Sequence, residues 1–155
     1  MAHRVCPWWL GYFLASSVRR LVQDPRALLA PFVAEEMTVL EPGPGMGFFT
    51  LELARLVGPK GRVVAIDVQP RMLEVLLRRA EQAGLRSRIE ARQPNGAHLG
   101  TEDLAACVDF VLAFAVLHEL PSIPAFVVEV HQALRPGGKL LACEPKLHVS
   151  ADAFD

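Results

Sequence analysis

Three glycines at alternate positions follow a short apolar segment and lead into a helical pattern. Residues 40–48 read LEPGPGMGF, so the glycines are Gly43, Gly45 and Gly47. A glycine lets the backbone turn tightly, or approach a ligand, where a Cβ would collide. The helix that follows offers N–H groups with no partner inside the helix. The pattern therefore predicts a ligand-binding turn between a strand and a helix.

The glycine spacing differs from the one that binds dinucleotides. The dinucleotide pattern is Gly-x-Gly-x-x-Gly, and Phe48 stands where its third glycine would let helix and strand pack closely. A phosphate-containing ligand is therefore not the first expectation. A nicotinamide-dependent oxidoreductase remains the less favoured alternative.

Composition describes one globular domain without a polyanionic partner. The chain has 155 residues, of which 52% are hydrophobic and 21% charged, and its net charge is −1. Such a balance gives no electrostatic support for binding nucleic acid. Cys6, Cys107 and Cys143 include no C-x-x-C pair, which indicates a reducing cytoplasm and no metal site.

Residues 5–15 form a nearly continuous apolar segment that contains Trp8 and Trp9. The segment is too short to cross a bilayer, and Pro7 and Gly11 interrupt it. We interpret residues 1–37 as an aromatic, helical N-terminal cover. A signal peptide and a segment lying on a membrane surface are the alternatives.

From Thr38 onward, strand-like and helix-like patterns alternate. This order predicts an α/β fold, a doubly wound and mostly parallel sheet with helices on both faces. Asp24 and Ser122 are predicted helix N-caps. The helix after Ser122 is predicted to end at residues 135–138 and to bury Phe126, Val127, Val130 and Leu134. The predicted strands are residues 38–41, 62–67, 89–92, 108–113 and 139–143.

Asp67 ends the second predicted strand. In sheets of this kind, ligands bind beyond the carboxyl ends of the strands, where the strand order reverses. A carboxylate at this position can accept hydrogen bonds from both hydroxyls of a ribose. The alternative is an ordinary helix-capping acid.

The ordered set of motifs resembles the class I S-adenosylmethionine-dependent methyltransferases. The motifs are EPGPGMG at residues 41–47, Asp67, and LRPGG at residues 134–138 before a strand. The resemblance covers residues 38–145 and implies a Rossmann-like, S-adenosylmethionine-binding domain at residues 38–146. It also implies that the family's last helix and two strands are lacking, with residues 147–155 as the start of an incomplete C-terminal helix.

The resemblance assigns roles to the residues after each strand. Glu41 would hold the amino end of the cofactor, and Asp67 its ribose hydroxyls. The turn under the methionine part and the ribose comprises Gly43, Gly45, Met46 and Gly47. The residues that would touch the adenine or the rest of the cofactor are Val68, Met72, Asn95, Gly96, Phe114 and Ala115. Asn95 would accept a hydrogen bond from the adenine amine, although Pro94 and Gly96 could equally mark a plain turn.

His118 lies in the loop after the fourth strand, which in this family passes between cofactor and substrate. A histidine titrates near neutrality and can remove a proton from a nucleophilic substrate, which makes His118 the candidate catalytic base. The alternative is that His118, together with Glu119, only organises the start of a helix. Glu144, after the fifth strand, is either a second residue at the rim of the site or a solvated loop acid.

These residues predict a methyltransferase that acts on a small-molecule acceptor by in-line displacement. A sulfonium cofactor carries no phosphate and needs carboxylates for its ammonium and its diol, which fits Glu41 and Asp67. The alternative is a truncated module that binds S-adenosylmethionine without turnover. If the chain ends at Asp155, the fifth strand leaves an open edge, and such edges favour dimerisation.

Overall fold

The computed structural model describes residues 23–94 and 98–144. Within them, five strands form one sheet in the order β3-β2-β1-β4-β5, and every neighbouring pair is parallel. The strands are β1 (Thr38–Pro42), β2 (Arg62–Ile66), β3 (Ile89–Arg92), β4 (Val108–Phe114) and β5 (Leu134–Cys143). The helices are α1 (Pro25–Leu29), α2 (Thr50–Leu56), α3 (Pro70–Gln82) and α4 (Ile123–Ala133).

This arrangement confirms the predicted doubly wound α/β fold. The chain builds outward from β1 to β3 and then crosses back to β4, so the strand order reverses between β1 and β4. Most of the predicted N-terminal cover and the predicted helix at residues 147–155 lie outside the described residues, as do Asn95 and Gly96. None of the helices in the described ranges is long and apolar enough to cross a membrane.

Helices cover both faces of the sheet, and alternate strand residues point to opposite faces, so that neighbours along a strand belong to different cores. Val39 belongs to the core under α1, α2 and α3, whereas its neighbour Leu40 belongs to the core under α4. Phe110 and Val111 divide between the same two cores in the same way. The continuous apolar character of β4 follows from this double burial.

Both predicted N-caps are confirmed. Asp24 Oδ1 accepts hydrogen bonds from the N–H groups of Arg26 (2.9 Å) and Ala27 (3.3 Å) at the start of α1. Ser122 Oγ accepts one from Ala125 N–H at 3.3 Å in the first turn of α4. Each cap satisfies helix N–H groups that would otherwise lack a partner.

The end of α4 differs from its prediction. The helix ends at Ala133, and residues 134–138 are the first half of β5 rather than a turn. Leu134 pairs with Val108 and Lys139 with Phe110, so the register shifts between these pairs and the intervening residues bulge. Proline and glycine are tolerated here because β5 is the edge strand of the described sheet.

The buried face of α4 also differs in one residue. Phe126 and Val130 are buried as predicted, and Ala133 continues their stripe at helical spacing. Val127 is 48% exposed, because it lies one residue further round the helix, next to the exposed Ile123. Leu134 is only partly buried, since it belongs to β5.

Gly47 provides the close packing that the dinucleotide pattern assigns to its third glycine. Its φ is +84°, and a Cβ there would lie 2.2 Å from Leu76 Cδ1 on α3. Phe48 is buried, and its ring packs edge-on against Phe49 with 5.0 Å between the ring centroids. The turn and α3 therefore approach each other at Gly47, and a large side chain at residue 48 is accommodated in the core.

Gly47→Ala tests this close approach. Gly84→Ala is the matched control, because Gly84 has a similar φ of +67°, but a Cβ added there would meet no atom of the described residues within 4 Å. Both variants strain the backbone, but only Gly47→Ala also forces Leu76 to move. We expect Gly47→Ala to lower the free energy of unfolding in urea by about 1–3 kcal/mol more than Gly84→Ala. Equal losses would contradict the packing role.

Candidate functional site

At the carboxyl edge of β1, the three glycines of the turn differ in how closely the described residues pack against them. Gly43 packs closely, since a Cβ there would lie 2.6 Å from Val116 Cγ2 in the loop after β4. At Gly45 no atom of the described residues lies within 4 Å of the Cβ position, and φ is +55°. Gly43 and Gly47 therefore fix the turn between its neighbours, and Gly45 presents bare backbone to the space above.

Asp67 joins this turn to the start of α3. Its Oδ2 accepts a hydrogen bond from Gly45 N–H at 3.1 Å, and its Oδ1 accepts one from Gln69 N–H at 2.8 Å. Asp67 thus faces the glycine turn and holds the N–H of Gln69, the residue before α3, but it does not itself cap the helix as the alternative required. Each carboxylate oxygen has a second lone pair with which to accept a hydrogen bond from a ligand.

Glu41 is a buried carboxylate whose second oxygen lacks a hydrogen-bond partner in the part of the chain that the structure describes. The residue is 3% exposed, and the unpartnered oxygen is Oε2. Burial raises the pKa of Glu41 to about 8. The nearby Thr50 hydroxyl lowers this pKa in part, although its position is outside ordinary hydrogen-bond geometry. The charge of Asp67 raises the pKa further. A buried acceptor without a partner is costly, and a cationic donor such as an ammonium group would satisfy it.

The carboxylates at this edge form an acidic site. Burial raises the pKa of Asp67, and the neighbouring charge of Glu119 raises it further, although the two backbone N–H groups oppose this. Glu41, Asp67 and Glu119 therefore share one electrostatic environment. Such an environment favours a positively charged ligand over a phosphate.

Arg79 anchors the glycine turn from α3. Its Nη1 donates a hydrogen bond to the carbonyl oxygen of Met46. Sequence reasoning missed this residue, because nothing in the local pattern distinguishes it from the other arginines of the helix. The available signal was its position three residues after Leu76, which places both side chains on the same face of α3 as the turn.

The predicted adenine neighbours separate in their burial. Met72 is buried and shares an apolar cluster with Met46 and Val75. Val68 is 53% exposed, and its carbonyl accepts a hydrogen bond from Gln93 Nε2 at 3.2 Å. The turn after β1 and α3 thus meet in one apolar patch, to which Val68 does not belong.

The end of β4 brings an aromatic side chain next to the turn. The rings of Phe114 and Phe49 lie 4.5 Å apart between centroids. Ala115 has φ of +53°, a strained conformation for a residue with a Cβ, and its N–H donates to the Cys143 carbonyl at 2.7 Å. The backbone therefore turns sharply after Phe114 and is tied to the end of β5.

His118 is hydrogen-bonded to Glu144 and also lies within ion-pair distance of its neighbour Glu119. His118 Nδ1 lies 2.7 Å from Glu144 Oε2, and Leu117 N–H donates to Glu144 Oε1 at 2.6 Å. The Glu144 side chain is only 1% exposed, so the interpretation of this residue as a solvated loop acid is wrong. His118 Nε2 lies 3.9 Å from Glu119 Oε1, a separation longer than a hydrogen bond.

The carboxyl edge thus gathers nearly all of the predicted site residues that the structure describes. The glycine turn, Glu41 and Asp67 are joined by direct contacts or by electrostatic coupling, and Phe114 reaches them through Phe49. Across residues 23–94 and 98–144, no three His, Cys, Asp or Glu side chains stand together in a way that could hold a metal ion.

Glu41→Gln tests the cost of the buried carboxyl group. Between its ordinary pKa of 4.5 and its folded-state pKa of about 8, Glu41 is ionised in the unfolded chain and protonated in the folded protein. Stability therefore falls as the pH rises through this window. We expect urea unfolding to show that Glu41→Gln removes a pH-dependent loss on the order of a few kcal/mol. Glu74→Gln, at an exposed carboxylate of α3, is the control, and an unchanged pH slope in Glu41→Gln would contradict the assignment.

Comparison with known proteins agrees with this geometry. The family described as a methyltransferase domain matches residues 34–154. A ubiquinone biosynthesis O-methyltransferase of Methylocella silvestris is 35% identical over 154 residues, which are 98% of this chain and 57% of that protein. The ubiquinone/menaquinone biosynthesis C-methyltransferase UbiE of Hahella chejuensis is 34% identical over 122 residues, which are 76% of this chain and 48% of that protein.

A solved structure agrees as well. The crystal structure of a SAM-dependent methyltransferase from Aquifex aeolicus has a TM-score of 0.79 and 29% identity, over 88% of this chain and 71% of that one. The chain spans about half the length of the two curated relatives. From the family match and the fold, we conclude that the chain belongs to the methyltransferase-domain family, in the class I S-adenosylmethionine-dependent group.

Proposed function

We propose that the protein binds S-adenosylmethionine at the carboxyl edge of β1, β2 and β4 and transfers its methyl group to a small-molecule acceptor. The observation that carries this proposal is the buried Oε2 of Glu41, unpartnered among the described residues, beside the open backbone of Gly45. An ammonium group would supply the donor that Glu41 Oε2 lacks. A ligand without phosphate suits Gly45, because the Gly45 N–H already donates to Asp67.

In this proposal, each residue of the site binds a different part of the cofactor. Glu41 holds the amino group, and Asp67 accepts hydrogen bonds from the ribose hydroxyls. Met46 and Met72 provide the buried apolar side of the adenine pocket, and Val68 its exposed side. These roles are supported by burial and by the hydrogen bond between Asp67 and Gly45, which holds the two halves of the site together.

When bound, S-adenosylmethionine supplies a methyl group that its positively charged sulphur already activates. The chain then has to hold the acceptor in line and exclude water. Asp67 and Glu119 give the site a negative field that favours a cationic ligand. A bound cation would also lower the raised pKa of Glu41 and so favour its ionised form.

The acceptor that we propose is a small, apolar or aromatic molecule. Phe114 is only partly buried and packs against the buried Phe49 beside the turn, so that its ring offers such a molecule an apolar surface. Two of the relatives are named for ubiquinone or menaquinone biosynthesis, which is consistent with an acceptor of this kind. A cytoplasmic location, the absence of a nucleic-acid partner and the N-terminal cover stay predictions from the sequence.

We also propose that the protein can dimerise along β5. This strand is the edge of the described sheet, and Leu140 on it is 38% exposed. An edge strand offers unpaired N–H and C=O groups to a second strand.

Isothermal titration tests cofactor binding. We expect wild-type protein to bind S-adenosylmethionine, and Gly45→Ala and Asp67→Ala each to weaken binding by at least about tenfold, equivalent to about 1.4 kcal/mol. Gly84→Ala is the control, because it has the same type of backbone strain away from the site. Absence of any affinity for S-adenosylmethionine, or stabilisation by NAD alone, would contradict the proposal. Binding without methyl transfer to any acceptor would favour the truncated-module alternative.

The anchoring of the turn by Arg79 gives a second binding test. Arg79→Met removes the hydrogen bond to the Met46 carbonyl, and we expect it to weaken S-adenosylmethionine binding by about tenfold, the size of one lost hydrogen bond to a charged group. Arg78→Met removes an arginine whose ion pair with Glu74 lies on the surface, and should leave affinity unchanged. Equal effects of the two variants would show that Arg79 does not position the turn.

A further inference from the structure

Two glutamates in this fold each bind a histidine and a backbone N–H group at the same time. Glu144 holds His118 Nδ1 (2.7 Å) and Leu117 N–H (2.6 Å). Glu129 on α4 holds His98 Nδ1 (3.0 Å) and Leu99 N–H (2.7 Å). The arrangements match, but their surroundings do not.

The difference is burial and place. In the first pair, the Glu144 side chain is 1% exposed, and this residue follows β5 at the carboxyl edge. In the second pair, the His98 side chain is 72% exposed. Glu129 and His98 line a groove along the outer side of α4, which shares no residue with the cofactor site. A hydrogen-bonded carboxylate that is hidden from water while its histidine partner stays 26% exposed indicates a role for the histidine rather than for packing.

We propose that Glu144 is a positioning residue that holds His118 with its proton on Nδ1, so that Nε2 acts as the base toward a weakly acidic, phenol-like hydroxyl of the methyl acceptor. This inference rests on the proposed methyltransferase function and names the class of its acceptor. The hydrogen bonds of Glu144 carry it, and the glycine turn and Asp67 serve only to locate the imidazole.

Hydrogen-bond chemistry decides which nitrogen carries the proton. An ionised carboxylate only accepts hydrogen bonds, so a neutral imidazole at 2.7 Å from it must donate through Nδ1. The second oxygen of Glu144 is already committed to Leu117 N–H, which fixes the orientation of the carboxylate. The distances of 2.6 and 2.7 Å are those of charge-assisted hydrogen bonds.

Glu119 links the Nε2 edge of His118 to the cofactor site. Nε2 lies 3.9 Å from Glu119 Oε1, and the charge of Glu119 in turn acts on Asp67. The imidazole therefore stands between a buried carboxylate behind it and the acidic site in front. Val116, two residues earlier in the same loop, packs against Gly43 of the glycine turn.

The proton transfer balances without any further reactant. The acceptor O–H bond breaks, its proton goes to Nε2 of His118, and its electron pair stays on the oxygen. When that oxygen takes up the methyl group, the methyl–sulphur bond of S-adenosylmethionine would break and leave its electron pair on the sulphur. His118 then carries a proton on both nitrogens, opposite the charge of Glu144, and returns the Nε2 proton to water. A base is needed because a phenol-like hydroxyl arrives protonated at neutral pH.

Imidazole NMR of protein labelled with ¹⁵N-histidine tests the tautomer directly and without turnover. The spectra are recorded from about pH 6 to about pH 10, so that the neutral ring is reached, and His118→Gln assigns the signal. We expect neutral His118 to carry its proton on Nδ1. A proton on Nε2 in the wild-type protein would overturn the proposal.

Glu144→Gln is the decisive variant in the same experiment. The amide oxygen can replace only one of the two carboxylate oxygens, so that if it accepts from Leu117 N–H the NH₂ group faces His118 Nδ1 as a donor, and we expect the Nε2–H form to appear. Glu144→Asp keeps two acceptor oxygens and should retain more of the Nδ1–H form than Glu144→Gln. Glu129→Gln is the matched control and should change the signals of His98 but not those of His118. An unchanged His118 tautomer in Glu144→Gln would overturn the proposal.

Methyl transfer to phenol and to 4-nitrophenol at about pH 8 tests the base. We expect Glu144→Gln and His118→Gln to lower kcat for phenol by about 10²-fold, with KM changed less than about threefold. The loss with 4-nitrophenol should be much smaller, because that acceptor is already largely ionised. Glu129→Gln should leave both rates unchanged. Equal losses with both acceptors, or a wild-type protein that binds the cofactor but methylates neither, would overturn the assignment of a base and a hydroxyl acceptor.

Cofactor titration keeps the two proposals apart. His118→Gln and Glu144→Gln should bind S-adenosylmethionine as the wild-type protein does, because neither residue is assigned to the cofactor. If the wild-type protein fails to bind S-adenosylmethionine, the proposed function fails, whatever the tautomer of His118. If binding is intact and the tautomer is wrong, only the inference about Glu144 fails.

Discussion

The hydrogen bond between the Asp67 carboxylate and Gly45 N–H is the contact on which the candidate site depends. It joins the turn after β1 to the loop after β2, and the second oxygen of Asp67 binds Gln69 N–H before α3 begins. One carboxylate therefore holds the turn and the start of α3 together, and it places its negative charge between them. Arg79 strengthens the same junction from within α3, because it holds the Met46 carbonyl of the turn.

The buried Glu41 shows how the site differs from an ordinary protein interior. A carboxyl group with a pKa of about 8, and with one oxygen unpartnered among the described residues, makes the folded protein less stable at neutral pH than an apolar or amide group would. A cationic ligand removes that penalty by supplying the missing donor. The arrangement is typical of sites in which stability is lower than it could be because the group is needed for binding.

The far side of the site depends on a strand that also forms the edge of the sheet. β5 ties the loop after β4 through the hydrogen bond from Ala115 N–H to Cys143, and Glu144 follows directly. Pairing of this edge with another strand would therefore act on the same backbone that positions His118. In this fold, the edge of the sheet and the histidine are not independent.

The sequence alone determined the order of strands and helices, the glycine turn and the two carboxylates beside it, because hydrophobic periodicity and glycine spacing are local properties of the chain. The boundaries of β5 and the exposure of Val127 were wrong for the opposite reason, since they depend on the register with β4 and on the rotation of α4 against the sheet. Only the tertiary structure decided that the hydrogen-bond partner of His118 is Glu144. These two residues are 26 positions apart, and no local pattern can reveal a contact that exists only because two parallel strands end side by side.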